Sequence, residues 1–124
     1  MYVEFEDDRV KELFNDVNDV CHSRNLMRRE IGMELTREVK KRYNQIVAAP
    51  SFSALQLSGL GKMESLEGDR KGSYSLRLSA NYRFIVKPRA EDLSAESLRI
   101  CDTLIIEGVI DYHGRGKKYG WLIP

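Results

Sequence analysis

The chain has 124 residues, with 20 Lys and Arg against 19 Asp and Glu, two His, two Cys and 42% hydrophobic residues. That length suits a single domain, 1–124, with a core of its own, and the composition excludes disordered and collagen-like chains. No apolar run approaches the roughly 20 residues that span a bilayer, the opening MYVEFEDD is acidic where a signal peptide is basic, and Cys21 and Cys101 lack metal-ligand spacing, so a cytoplasmic protein with reduced thiols, no metal and no membrane contact is expected.

The formal charge of +1 conceals an asymmetry. Residues 1–19 carry seven acids and only Arg9 and Lys11 as bases, whereas residues 20–58 carry seven bases and three acids. The tail, 114–124, holds Arg115, Lys117 and Lys118 with no acid. Such a chain can present faces of opposite sign, although helical charge runs are more simply read as solvated surface.

In chain order, Tyr2 to Phe5 alternates and predicts a short strand. Asp7 or Asp8 then offers an N-cap, and Val10, Leu13, Phe14, Val17 and Cys21 follow at helical spacing, predicting a helix over about 8–21. After a polar break, Met27, Ile31, Leu35, Val39, Tyr43 and Ile46 form one stripe of a second helix that ends before Pro50, with Gly32 weakening its start. Residues 51–57 allow at most one further helical turn. From Gly72 the period changes to two: Tyr74, Leu76 and Leu78, then Tyr82, Phe84 and Val86. A polar loop over 88–98 leads to a long β-rich run, 99–112, with Leu104, Ile106, Ile110 and Tyr112 on one parity. The expectation is an α+β fold, two N-terminal helices packed on one face of a small antiparallel sheet.

Pairing Leu78 with Tyr82 leaves Ser79, Ala80 and Asn81 as a hairpin loop and keeps one face apolar, whereas a one-residue slip would set apolar residues opposite polar ones. That register places Arg77 directly opposite Arg83, with Lys87 further along the same face. Like charges paired across strands are destabilising, so the fold alone does not ask for this pair. Two guanidinium groups on a rigid sheet suit a bidentate phosphate clamp; the structural alternative is that an acid such as Glu107 neutralises them. At the end of the third strand stand Asp111, Tyr112 and His113. A His with an ordinary pKa near 6.5 can exchange protons, while Tyr112, Tyr119 and Trp121 can stack on bases. Simple alternation sets Asp111 and His113 on the arginine side unless a bulge intervenes. No GxSxG, phosphate-binding loop, dinucleotide fingerprint or paired acidic motif is present, and Lys62, Arg70 and Lys71 sit in glycine-flanked turns.

Taken together, these residues resemble the HigB-type toxins of the RelE/ParE superfamily, from bacterial type II toxin–antitoxin modules. The resemblance runs over about 30–113: Leu66, the turn Gly68-Asp69-Arg70-Lys71-Gly72, the strand Tyr74-Ser75-Leu76-Arg77, a short turn, Tyr82-Arg83-Phe84, and a closing Asp111-Tyr112-His113. It implies a RelE-like fold and a ribosome-dependent endoribonuclease that cleaves translated mRNA by 2′-OH attack, without metal or cofactor. His113 would be the principal acid/base group, Tyr112 would assist, Asp111 would orient, and Arg77 and Arg83 would clamp the phosphate. Arg70, Lys71, Lys62, Lys87, Arg115, Lys117, Lys118 and Tyr119 are the expected RNA-binding residues. The implied partners are mRNA on the ribosome and a HigA-like helix-turn-helix antitoxin, in a heterotetramer. Some relatives carry a His before the GDR turn where this chain has Glu64, and many stop near the triplet, where this chain continues through 114–124. The competing readings are a ParE-like toxin of DNA gyrase and a non-catalytic RNA- or protein-binding module.

Overall fold

The computed structural model describes residues 1–111 and 120–123. Strand β1 (Tyr2–Phe5) leads into helix α1 (Asp8–Phe14), where the Asp7 carboxylate caps the first turn by accepting from the Val10 amide at 3.0 Å. The helix predicted to reach residue 21 stops at Phe14. Asn15, Asp16, Asn18 and Asp19 compete with helical bonding, and the buried Asn25 amide donates to the carbonyls of Asp16 and Asp19, closing the segment as turns. Val17 and Val20 are still buried.

The second predicted helix is two. Gly32 adopts φ +86°, a conformation that breaks the stripe into α2 (Leu26–Ile31) and α3 (Met33–Ala48). Leu35, Val39 and Ile46 nonetheless face the core. Helix α4 (Phe52–Leu57) is capped by Ser51, and two 3₁₀ turns, Leu60–Lys62 and Gly68–Arg70, flank the short strand β2 (Glu64–Ser65). The hairpin follows as β3 (Tyr74–Arg77) and β4 (Tyr82–Pro88), with Leu76 opposite Phe84, Tyr74 opposite Val86 and Arg77 opposite Arg83, as the alternation predicts. The polar loop ends earlier than expected, because Ser94 caps a further helix, α5 (Ala95–Ile100), which buries Leu98. Strands β5 (Thr103–Asp111) and β6 (Gly120–Ile123) complete the described chain.

The sheet is larger than the predicted meander and is mixed. Its order is β1-β5-β4-β3-β2; β1 runs parallel to β5, and β6 pairs antiparallel with the far half of β5. The helix-facing side carries Leu76, Phe84, Val86, Leu104, Ile106, Val109 and Ile123, which share one core with Val10, Phe14, Val39, Ile46 and Phe52. Phe14 is its aromatic centre, with ring centroids 5.5, 5.6 and 5.8 Å from Phe5, Tyr43 and Phe84. No helix among the described residues is long and apolar enough to cross a membrane.

One irregularity decides which side chains share a face. Val86 pairs with Ile106, whereas Ile85 pairs with Gly108, so Glu107 is an extra residue in a β-bulge. Beyond it the parity of β5 reverses. Val109 and Asp111 lie on the helix side, opposite Phe84 and Tyr82, and Ile110 lies on the arginine side, opposite Arg83. Simple alternation put Asp111 beside the arginines; the bulge places it on the other face.

Candidate nucleic-acid interface

The sheet face turned away from the helices is built from two cross-strand rows. One reads Glu64, Ser75, Ile85, Gly108; the next reads Arg77, Arg83, Ile110, Trp121. Residues directly opposite across a ladder share a face, so register alone gathers an exposed carboxylate, two guanidinium groups, two buried isoleucines and an aromatic ring on one surface. Ile85 and Ile110 are buried without belonging to the core beneath the helices.

The arginine pair is chemically unequal. Arg77 is exposed, and its guanidinium has no ion-pair or hydrogen-bond partner among the described residues. Its backbone is fixed from the helix layer, where the Arg42 guanidinium donates to the Arg77 carbonyl at 2.9 Å and to Gln45 Oε1 at 2.6 Å. Burial lowers the Arg42 pKa against the opposing pull of Glu38, and Arg42 Nε is left without a partner. Arg83 instead turns along its own hairpin, where Nη1 donates to the carbonyls of Ser79, Tyr82 and Ala80 at 2.9, 3.1 and 3.3 Å. The acid proposed to neutralise the pair, Glu107, does not do so. It is buried in the bulge, accepts from the Ser73 hydroxyl, and binds Arg70 Nη1 at 3.2 Å.

That salt bridge aims Arg70. Its guanidinium carbon lies 4.5 Å from the centre of the Trp121 ring, a cation–π stack that ties β6 to the GDR turn. Next to the stack, Leu66, Ile85, Ile110 and Trp121 wall a cleft of about 300 Å³ with Glu67 and Arg70 at its rim. Gly108 permits this closeness: with φ +152°, it lies under Ile123, where a Cβ would overlap the carbonyl oxygen.

Of the other basic residues, Lys62 and Lys71 are exposed beside their turns, and Lys87 is held by Glu6 at 2.7 Å. Tyr112, His113, Arg115, Lys117, Lys118 and Tyr119 lie outside the described residues. Among the described residues, no group of three or more His, Cys, Asp or Glu could hold a metal ion. Sequence reasoning passed over three contributors. The sequence alone presents Trp121 as a stacking residue of the tail, Glu107 as a counter-charge for the arginines and Glu64 as a substituted histidine. The one usable signal was Gly108 inside an apolar run, which marks a bulge or a close backbone approach.

No protein-family model matches the chain. A Streptomyces coelicolor protein described as Toxin YoeB is 35% identical over 60 residues, covering 48% of this chain and 69% of that protein. A YoeB/ParE toxin from Agrobacterium tumefaciens superposes with a TM-score of 0.50 at 17% identity, covering 92% of this chain and 100% of that one. The YoeB-YefM complex from Staphylococcus aureus gives 0.50 at 16% identity, with 92% and 98% covered. At those identities the structural likeness bears on the fold alone, a mixed α+β fold whose sheet matches these toxins. These relatives are described as YoeB or YoeB/ParE toxins, and they do not support the HigB subtype to which the sequence motifs point. The identity to the curated relative, seated on a fold of the same kind, shows the family: the chain belongs to the YoeB-type toxins of the RelE/ParE superfamily.

Proposed function

We propose that this protein is the toxin of a type II toxin–antitoxin module and a metal-independent endoribonuclease that cleaves translated mRNA on the ribosome, in the cytoplasm. The observation that carries the reading is the exposed, unneutralised guanidinium of Arg77, borne at the end of a strand whose backbone Arg42 holds, on the face that also carries Glu64. A cation placed in this way stabilises the charge that develops on a phosphate when a ribose 2′-OH attacks it. In this reading the 2′-oxygen bonds to phosphorus as the 5′-oxygen leaves, giving a 2′,3′-cyclic phosphate and a 5′-hydroxyl. The attacking hydroxyl loses a proton and the leaving oxygen gains one. His113 is the proposed acid/base group and Tyr112 assists; Asp111, on the helix side of the sheet, is proposed to orient them by holding the strand end and not by facing the phosphate. Glu64 is a second carboxylate able to accept a proton on the Arg77 face. Arg83 holds the hairpin that carries Arg77 and contributes positive potential beside it.

Lys62, Arg70, Lys71, Lys87, Arg115, Lys117, Lys118 and Tyr119 are the proposed RNA contacts. The S. aureus YoeB is described in a heterotetrameric complex with YefM, which supports an antitoxin partner here. The HigB-like motifs, Gly68-Asp69-Arg70-Lys71-Gly72 and Asp111-Tyr112-His113, support the finer proposal of a helix-turn-helix antitoxin. Primer extension on a reporter mRNA in a reconstituted translation reaction tests the function. Cuts that require ribosomes and vanish in His113→Ala and Arg77→Ala are expected. Intact mRNA at stoichiometric protein, with growth still inhibited in cells, would instead point to gyrase.

A further inference from the structure

We infer that the cleft between Trp121, Ile110, Ile85 and Leu66 is a slot for one unstacked nucleobase next to the scissile phosphate, and that Arg70 and Glu67 at its rim select guanine. The inference rests on the RNA-cleaving reading and adds a specificity site to it.

Three features of the cleft converge. It lies on the same sheet face as Arg77, because Arg77, Arg83, Ile110 and Trp121 form one cross-strand row of which Ile110 and Trp121 line the cleft. Arg77 and Ile110 are two strand spacings apart, about 10 Å, which an extended arginine and one nucleotide bridge together. The walls are aliphatic and aromatic and the cleft, at about 300 Å³, sits at the small end of ligand sites, so it admits a flat ring and excludes a folded segment. Single-stranded RNA is commonly read by splaying a base into such a site, against an aromatic or guanidinium plane.

The rim supplies the selectivity. Arg70 is held by two contacts that leave part of its fork unused: one nitrogen binds Glu107, and the guanidinium carbon sits over the Trp121 ring. Its remaining N–H groups donate, and the Glu67 carboxylate accepts. Guanine presents the O6 and N7 acceptors to a guanidinium and has N–H donors on its Watson–Crick edge for a carboxylate. Adenine has no acceptor at the O6 position, and cytosine and uracil have no N7. Glu107 is thereby a positioning residue, since a buried carboxylate with two donors holds Arg70 at one orientation over the ring.

Trp121 is the chain's single tryptophan, so intrinsic fluorescence reports on the slot directly. The full-length protein is titrated, without ribosomes, with the 3′,5′-bisphosphates of guanosine, adenosine, cytidine and uridine, excited at the red edge of the tryptophan band. Saturable quenching is expected, with guanosine binding roughly tenfold more tightly than the other three, as one base-selective contact pair gives. Glu67→Gln, an exposed change, should erase that preference while keeping the quenching. Arg77→Ala should weaken all four alike by removing the phosphate contact. Absence of saturable quenching, equal affinity for four bases, or a guanosine preference untouched by Glu67→Gln each overturns the slot. An Arg77→Ala titration identical to wild type separates the slot from the phosphate site and overturns it too. None of these readings depends on cleavage, so a failed ribosomal assay with intact quenching removes the nuclease and leaves the base site.

Discussion

Replacing Gly108 by alanine should release β6. Its Cβ would overlap the Ile123 carbonyl oxygen, stand 2.9 Å from that carbonyl carbon and 3.1 Å from the Trp121 ring, and the φ of +152° is one that L side chains rarely adopt. Backbone cannot yield as the end of a flexible side chain does, so the strand must move. Ile123 is fully buried, and exposing it costs about 1.5–3 kcal/mol. Breaking the Arg70–Trp121 stack costs about 0.5–1 kcal/mol more, since Trp121 is half-exposed. The sum is about 2–4 kcal/mol, a fall of roughly 10 °C in Tm for a chain of this length. Urea denaturation followed by far-UV circular dichroism measures the stability, and the emission maximum of the single tryptophan shows whether the ring has left the sheet. A Gly108→Ala protein with wild-type midpoint and unshifted emission would refute the claim that β6 depends on this close approach.

The two arginines should separate by assay. Arg77→Ala is expected to leave stability within about 0.5 kcal/mol of wild type while lowering cleavage on the ribosome roughly 100-fold or more. Arg83→Ala removes the donor to three hairpin carbonyls and should cost about 1 kcal/mol by urea unfolding. Glu107→Ala strips the partner from the buried Ser73 hydroxyl and from Arg70, for a loss of about 1–3 kcal/mol in the same measurement. Burial raises the Tyr74 pKa, so the folded state keeps its proton after the unfolded chain begins to lose it near pH 10. That contribution is whole below pH 10 and disappears as pH rises through the folded value; urea midpoints from pH 8 to 11 should therefore fall more steeply in wild type than in Tyr74→Phe.

The hairpin was legible because its information is local. Alternation over Tyr74, Leu76, Leu78, Tyr82, Phe84 and Val86 admits one register with an apolar face, and that register sets Arg77 opposite Arg83. What escaped depended on partners far along the chain. Nothing in Tyr2 to Phe5 names β5 as its neighbour or parallel as its sense. Helix α5 has too few residues to show a period, and its Ser94 cap sits inside a run that reads as polar loop. Gly32 looked like a weak first turn because the apolar stripe continues on both sides, yet its positive φ divides the helix. The bulge at Glu107 had the largest consequence for the site. One extra residue reversed the parity of β5 and sent Asp111 to the helix side and Ile110 to the arginine side. Arg83 shows the limit of register: it fixes where a side chain starts, and the open carbonyls of the 79–81 loop decide where the guanidinium ends.

The parallel pairing of β1 with β5 also governs when the molecule can form. Tyr2 meets Thr103 and Phe5 meets Ile106, so each rung of this ladder closes about a hundred residues of chain. Pairings of such high sequence separation set slow folding rates. The sheet can therefore be completed only after Thr103 to Ile106 have been synthesised. The hairpin bearing Arg77 can form from neighbouring residues alone, but its central strand, β4, gains its β5 partner late. Assembly of the arginine-bearing face is in this way tied to the synthesis of β5, and a truncated chain lacking β5 would hold the arginines without the sheet that orients them.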